Sequence, residues 1–147
     1  MMRLYTLLFL VFFIPSLSGA AQDWGTDLEQ AKSLANAKKL PILLVFQGSD
    51  WCAPCIKLER SIWDSDEFIE YAKDNLVLVK ADFPRKKKNR LSAEQKRKNG
   101  ELAEIYNPGG HFPLVVLMNA EGKVYGKLGY EKLKPAAYIL RIKSLVR

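Results

Sequence analysis

The chain has 147 residues, 48% of them hydrophobic, and a formal charge of +7. That length allows one domain with a worthwhile core, and the absence of repeats or low-complexity linkers argues against a second. Two cysteines and one histidine are too few to complete a zinc site of four thiolate and imidazole ligands within one chain.

At the start, Arg3 precedes an apolar run from Leu7 to Ile14, then Pro15, then the small residues Ser18-Gly19-Ala20. This is the pattern of a secretory signal peptide over residues 1–20, with cleavage expected after Ala20 or Ala21 and a domain from residue 21 to 147. The apolar run is short for a bilayer span, and no cysteine is present there to take a lipid. Export to the periplasm or beyond is therefore expected, where disulfides form and persist.

Thr26-Asp27-Leu28-Glu29 reads as a capping box opening a helix to about Lys39, with Leu28, Ala31, Leu34 and Ala35 on one face. Pro41-Ile42-Leu43-Leu44-Val45-Phe46 is a buried strand by its apolar run, and Gln47 to Asp50 is a loop. Helical spacing resumes after Cys52, and Pro54 suits a first turn, where a missing N–H costs nothing. Ser65 caps a further helix to Asp74, and Leu76 to Asp82 reads as a strand. Ser92-Ala93-Glu94-Gln95 reads as another capping box, opening a helix whose apolar residues come late, at Leu102, Ala103, Ile105 and Tyr106. Leu114 to Met118 is a strand, Asn119 to Gly122 a hairpin turn, and Lys123 to Leu128 its partner. Pro135 opens a last helix in which Ala136, Ile139, Leu140, Ile142 and Val146 are placed toward the sheet. Helices alternating with strands and a closing hairpin predict an α/β fold with a mixed sheet of about four strands flanked by helices.

The cysteines lie in Trp51-Cys52-Ala53-Pro54-Cys55, between strand and helix. A thiolate at a helix N-terminus is favoured by unpaired amides and the helix dipole, so the Cys52 thiol is expected below its free pKa of about 8.5. Cys55, one turn on, is in reach of a disulfide with Cys52 and is expected to be the more enclosed of the two. The predicted roles are nucleophile for Cys52 and resolving thiol for Cys55. A purely structural bridge is the alternative, but so short a loop contributes only about 2 kcal/mol by chain entropy. Haem attachment needs a histidine after the second cysteine, where Ile56 stands.

Gly48-Ser49-Asp50-Trp51-Cys52-Ala53-Pro54-Cys55-Ile56-Lys57-Leu58-Glu59-Arg60 resembles the thioredoxin superfamily, in particular its small secreted bacterial members, and the resemblance runs from about Trp24 onward. It implies the thioredoxin-like fold and thiol:disulfide exchange without a cofactor. It also places Phe112-Pro113 in the loop facing the cysteines, with a cis proline where Phe112 offers its backbone to an extended substrate. Trp51, Phe112 and Pro113 are the implied substrate-binding residues, and an ordinary trans proline starting a strand is the alternative. Ala53 and Pro54 tune the pair, and Pro54 resembles the second intervening residue of reducing thioredoxins. The chain departs from many relatives in three places. Phe46 stands where they carry a buried aspartate, Leu114 follows the proline, and the approach Asn107 to His111 is one residue longer. Proton removal from Cys55 then falls to water or another group, with Glu59 a candidate one turn away. His111, the only histidine, is a candidate influence on the Cys52 thiolate if its loop faces that sulfur, and otherwise a solvated side chain.

Between Arg85 and Lys98 stand Arg85, Lys86, Lys87, Lys88, Arg90, Lys96, Arg97 and Lys98 against Glu94, a charge equal to that of the whole chain. Such a segment suits an acidic partner or an anionic envelope surface, or is only a solvated face. Export and the absence of interleaved aromatic residues disfavour nucleic acid. The function expected is an exported monomeric reductase of protein disulfides, needing no metal, with disulfide-containing exported proteins as substrates and an unidentified redox partner. The alternatives are the oxidase or isomerase direction of the same chemistry and a non-catalytic binding module.

Overall fold

A computed structural model describes residues 22–146. The proposed signal segment and its cleavage positions lie outside the described residues.

β1 (Trp24–Gly25) leads into α1 (Leu28–Lys38), then β2 (Ile42–Gln47) and α2 (Ala53–Leu58), which continues as a π-helical turn over Glu59–Trp63. α3 (Asp66–Asn75), β3 (Val77–Asp82), a short 3-10 turn (Lys87–Asn89) and α4 (Ala93–Tyr106) follow. The hairpin β4 (Leu114–Met118) and β5 (Val124–Leu128) precedes α5 (Pro135–Ser144). The sheet order is β1-β3-β2-β4-β5, with β1, β3 and β2 parallel and β4 and β5 antiparallel to their neighbours. It therefore has five strands rather than four. The extra one is β1, whose two residues pair with Leu78 and Val79 and are too few for any periodicity to register.

β2 is central because it is apolar on both faces, as a strand covered on two sides must be. Leu43 and Val45 face a core built with Leu58, Ile62, Trp63, Phe68, Tyr138 and Ile142. Ile42, Leu44 and Phe46 face the opposite core, with Leu28, Ala31, Ala35, Tyr106 and Val116. Helices α2, α3 and α5 thus cover one side of the sheet, and α1 and α4 the other.

Local details depart from the sequence pattern where tertiary contacts decide them. Asp27, not Thr26, caps α1, its carboxylate accepting from the Gln30 amide at 3.0 Å and from Lys98 Nζ at 2.8 Å. Ser92 caps α4, but the Gln95 side chain turns to the Thr26 carbonyl and the Asn99 amide oxygen instead of back to the cap. Leu140 and Val146 are exposed, because the rotation of α5 is set by Tyr138, buried against Trp63 with its hydroxyl donating to the Gly129 carbonyl at 2.9 Å. Leu34 and Ile105 likewise face outward.

Candidate active site

The register fixes which loops meet. Phe46 pairs with Leu114, so the loop leaving the C-terminal end of β2 and the loop entering β4 emerge at the same end of the sheet. The first carries the cysteines and the second carries Phe112-Pro113, whose peptide bond is cis.

Cys52 is the N-cap of α2, and its Sγ accepts from the Cys55 amide at 3.3 Å. Pro54 lies in the first turn, where no amide is needed. A disulfide joins Cys52 and Cys55, with Cα atoms 5.2 Å apart. The two are about equally enclosed, 4% and 3% exposed, so the expected difference in accessibility is not found in this oxidised form. What separates them is position: one sulfur receives the helix-end amide, and the other lies one turn inside. Neither belongs to the hydrophobic cores, and Cys52 is flanked by half-buried Trp51 and exposed Ala53.

Trp51 ties the two loops together. Its Nε1 donates to the Phe83 carbonyl at 2.8 Å, and its ring meets Phe112 edge-on with centroids 5.6 Å apart. Phe112 in turn packs on Phe83 at 5.4 Å. The backbone N–H and C=O of Phe112 make no hydrogen bond to another described residue, which leaves them free for an added strand. Pro113 is buried. His111 is exposed, and it is its backbone that is held, through two hydrogen bonds to the Asn107 side chain. The imidazole makes no hydrogen bond among the described residues.

A cavity of about 290 Å³ beside Cys55 is lined by Gln47, Ile56, Glu59 and Lys80. Glu59 accepts from Lys80 Nζ at 2.6 Å through one oxygen, while the other is buried with no partner. Lys80 also stands over the Trp24 ring at 4.3 Å. Lys80 is a site residue the sequence reading lacks. Its signal is a lone cation within the otherwise apolar run from Leu76 to Ala81.

Asp50 and Asp82 organise the loop itself and are also new. Asp82 accepts from the Ser49 amide at 2.9 Å and its hydroxyl at 2.6 Å. Asp50 accepts from the amides of Arg85 and Lys86, at 2.9 and 3.0 Å, and from Asn89 Nδ2 at 2.9 Å. These bonds, the Arg85 amide foremost, hold the Asp50 carboxyl below its ordinary pKa.

A family model described as thioredoxin-like matches residues 23–120. The chain belongs to the thioredoxin-like family. Among relatives, it is 41% identical over 119 residues to the disulfide bond reductase DsbH of Chlamydia pneumoniae, covering 80% of this chain and 70% of the relative. A solved structure of a DsbH oxidoreductase superposes with a TM-score of 0.80 at 35% identity, over 93% of this chain and 92% of that one. A thioredoxin from Thermus thermophilus gives 0.60 at 14% identity, over 84% and 85%, a likeness of fold alone. In this member of the family the paired cysteines face a cis proline, and Glu59, the first residue past α2, pairs with Lys80 beside the second sulfur.

Proposed function

We propose that this thiol:disulfide oxidoreductase works as a reductase of protein disulfides, with Cys52 as the attacking thiolate and Cys55 as the resolving one. The observation that carries the reading is the Cys52 sulfur at the head of α2, receiving the Cys55 amide beside a loop whose Phe112 backbone is unpaired. An amide aimed at sulfur stabilises the thiolate more than the thiol, which favours attack at neutral pH.

The Cys52 thiolate attacks one sulfur of a substrate disulfide, forming a mixed disulfide and expelling the other substrate sulfur as a thiolate. Cys55 loses its proton and attacks Cys52 Sγ, which releases the substrate as a dithiol and leaves the Cys52–Cys55 disulfide. Two electrons have passed to the substrate, and a donor dithiol must return them. The free Glu59 oxygen on the cavity beside Cys55 supports a role as acceptor of the Cys55 proton, directly or through water. Trp51 and Phe112 form the substrate-facing rim over the buried Pro113, and Ala53 and Pro54 set the spacing and the first turn. Export is part of the reading and rests on the pattern of residues 1–20.

Reduction of insulin by dithiothreitol tests the proposal. The wild-type chain accelerates it, Cys52→Ser does not, and Cys55→Ser accumulates a mixed disulfide with substrate. Equilibration with glutathione tests the direction, with a potential more reducing than about −200 mV expected. A strongly oxidising value would refute the reductase assignment while leaving the exchange chemistry intact.

A further inference from the structure

The basic segment and the cysteine loop are one structural unit. Asp50, two residues before Cys52, accepts from the backbone amides of Arg85 and Lys86 and from the Asn89 side chain. Across the same junction the Arg85 guanidinium lies 3.7 Å from the Trp51 ring centroid. Trp51 is the neighbour of Cys52 and the contact of Phe112, so the strap from residue 85 to 91 is held in a fixed relation to the reacting sulfur.

Its charges are unspent. Among the described residues, the ion pairs made by this segment are those of Arg97 with Glu101 and of Lys98 with Asp27 and Glu94. Arg85, Lys86, Lys87, Lys88, Arg90 and Lys96 are exposed and have none. The two nearby carboxylates, Asp50 and Asp82, spend their oxygens on amides, Ser49 and Asn89. Arg85, Lys86, Arg90 and Lys96 rim a cavity of about 270 Å³, whose apolar lining includes Phe83 and Leu91. That volume is below the roughly 300–1,000 Å³ of sites for small organic ligands, but it admits side chains of an extended segment.

We propose that this cleft is a specificity site that takes an acidic segment flanking the target cysteine of the substrate protein. The inference rests on the reductase reading above and adds the substrate class to it. The cations gather approaching acidic segments and hold one beside Trp51 while the neighbouring cysteine is presented to Cys52, so acidic flanks raise the capture rate. Carboxylate side chains reach the four rim cations, and their aliphatic stems rest on Phe83 and Leu91. Basic flanks are repelled.

The test uses three disulfide peptides identical except for flanking residues that are acidic, neutral or basic. Wild-type protein is expected to reduce the acidic one with kcat/KM on the order of tenfold above the basic one at low salt, the preference shrinking as salt rises. In the triple variant Lys86→Gln, Arg90→Gln, Lys96→Gln, which removes exposed side chains without ion-pair partners, the preference falls toward unity. Equal rates for acidic and basic peptides in the wild type would overturn the proposal, as would a preference untouched by the triple variant. Cosedimentation with vesicles of phosphatidylserine, abolished by the triple variant and unaccompanied by a peptide preference, would overturn it in favour of a lipid surface. The neutral peptide separates the two levels: if wild type does not reduce it, and Cys52→Ser behaves identically, the reductase reading is what fails.

Discussion

Gly48→Ala is a small change that the structure makes expensive, for a reason outside backbone conformation. Gly48 is buried and does not have a positive φ, so an alanine is compatible with its backbone. The added Cβ would fall inside the van der Waals envelope of Trp51 Nε1 and Cε2 and 2.6 Å from Cζ2. The indole must swing away, and what it loses is the hydrogen bond to the Phe83 carbonyl, the edge contact with Phe112 and the stack under Arg85. One net hydrogen bond, one aromatic pair and one exposed cation–π contact come to about 2–3 kcal/mol. For a domain of this size that is a fall in Tm of roughly 6–15 °C. Denaturant unfolding of the oxidised protein measures it, and a double-mutant cycle with Trp51→Ala assigns it. With the ring removed, Gly48→Ala becomes neutral or stabilising by up to about 1 kcal/mol, because alanine restricts the unfolded chain. An equal loss in both backgrounds would refute the reasoning, since the clash would then not be with Trp51. So would an unchanged midpoint in the single variant.

Glu59→Gln keeps the shape of the cavity beside Cys55 and removes the carboxylate. Attack by Cys52 should proceed at the wild-type rate, while release of the mixed disulfide slows at pH 7 by about 100-fold and recovers as pH rises past the ordinary thiol range near 8.5. Rapid-quench measurement of both steps across pH decides it, and a slowing independent of pH would leave Glu59 a merely structural partner of Lys80. Tyr138→Phe tests the α5 anchor through linkage. Burial, and next the charge of Glu131, raise the Tyr138 hydroxyl above its ordinary value of 10.0. The folded state therefore holds that proton more tightly than the unfolded chain, so its contribution is complete below about pH 10 and is lost as pH climbs beyond. Unfolding free energies measured from pH 8 to 11.5 should fall more steeply for wild type than for the variant, and parallel curves would sink the assignment.

What the sequence discloses and what it conceals divide along chain separation. The Cys52 cap, the Ser65 and Ser92 caps and the hairpin turn at Gly122 join residues three or four apart, and a local pattern is sufficient to announce each. β2 is announced by a different local fact, the unbroken apolar run of a strand buried on both faces. The contacts that make the cysteine loop a site have no such signature. Asp50 reaches amides 35 and 36 residues away, Ser49 reaches Asp82 across 33, and Lys80 finds Glu59 across 21. An aspartate accepting from backbone amides is indistinguishable in sequence from a solvated one, because the donors carry no side-chain identity. Lys80 is the partial exception: a cation at position four of Val77–Asp82 violates the strand's apolar pattern, and such a violation announces that something opposite must take the charge. The identity of that partner depended on the π-helical turn at Glu59–Trp63, which continues α2 past Leu58, and nothing in the helical spacing of Ile56 to Trp63 foretells it. The same reasoning explains why the basic strap is visible as charge yet silent as position. The eight cations between Arg85 and Lys98 would look the same on any face of the molecule, and only the Asp50 amide bonds and the Trp51 ring tie the start of that segment, at Arg85 and Lys86, to the cysteine loop.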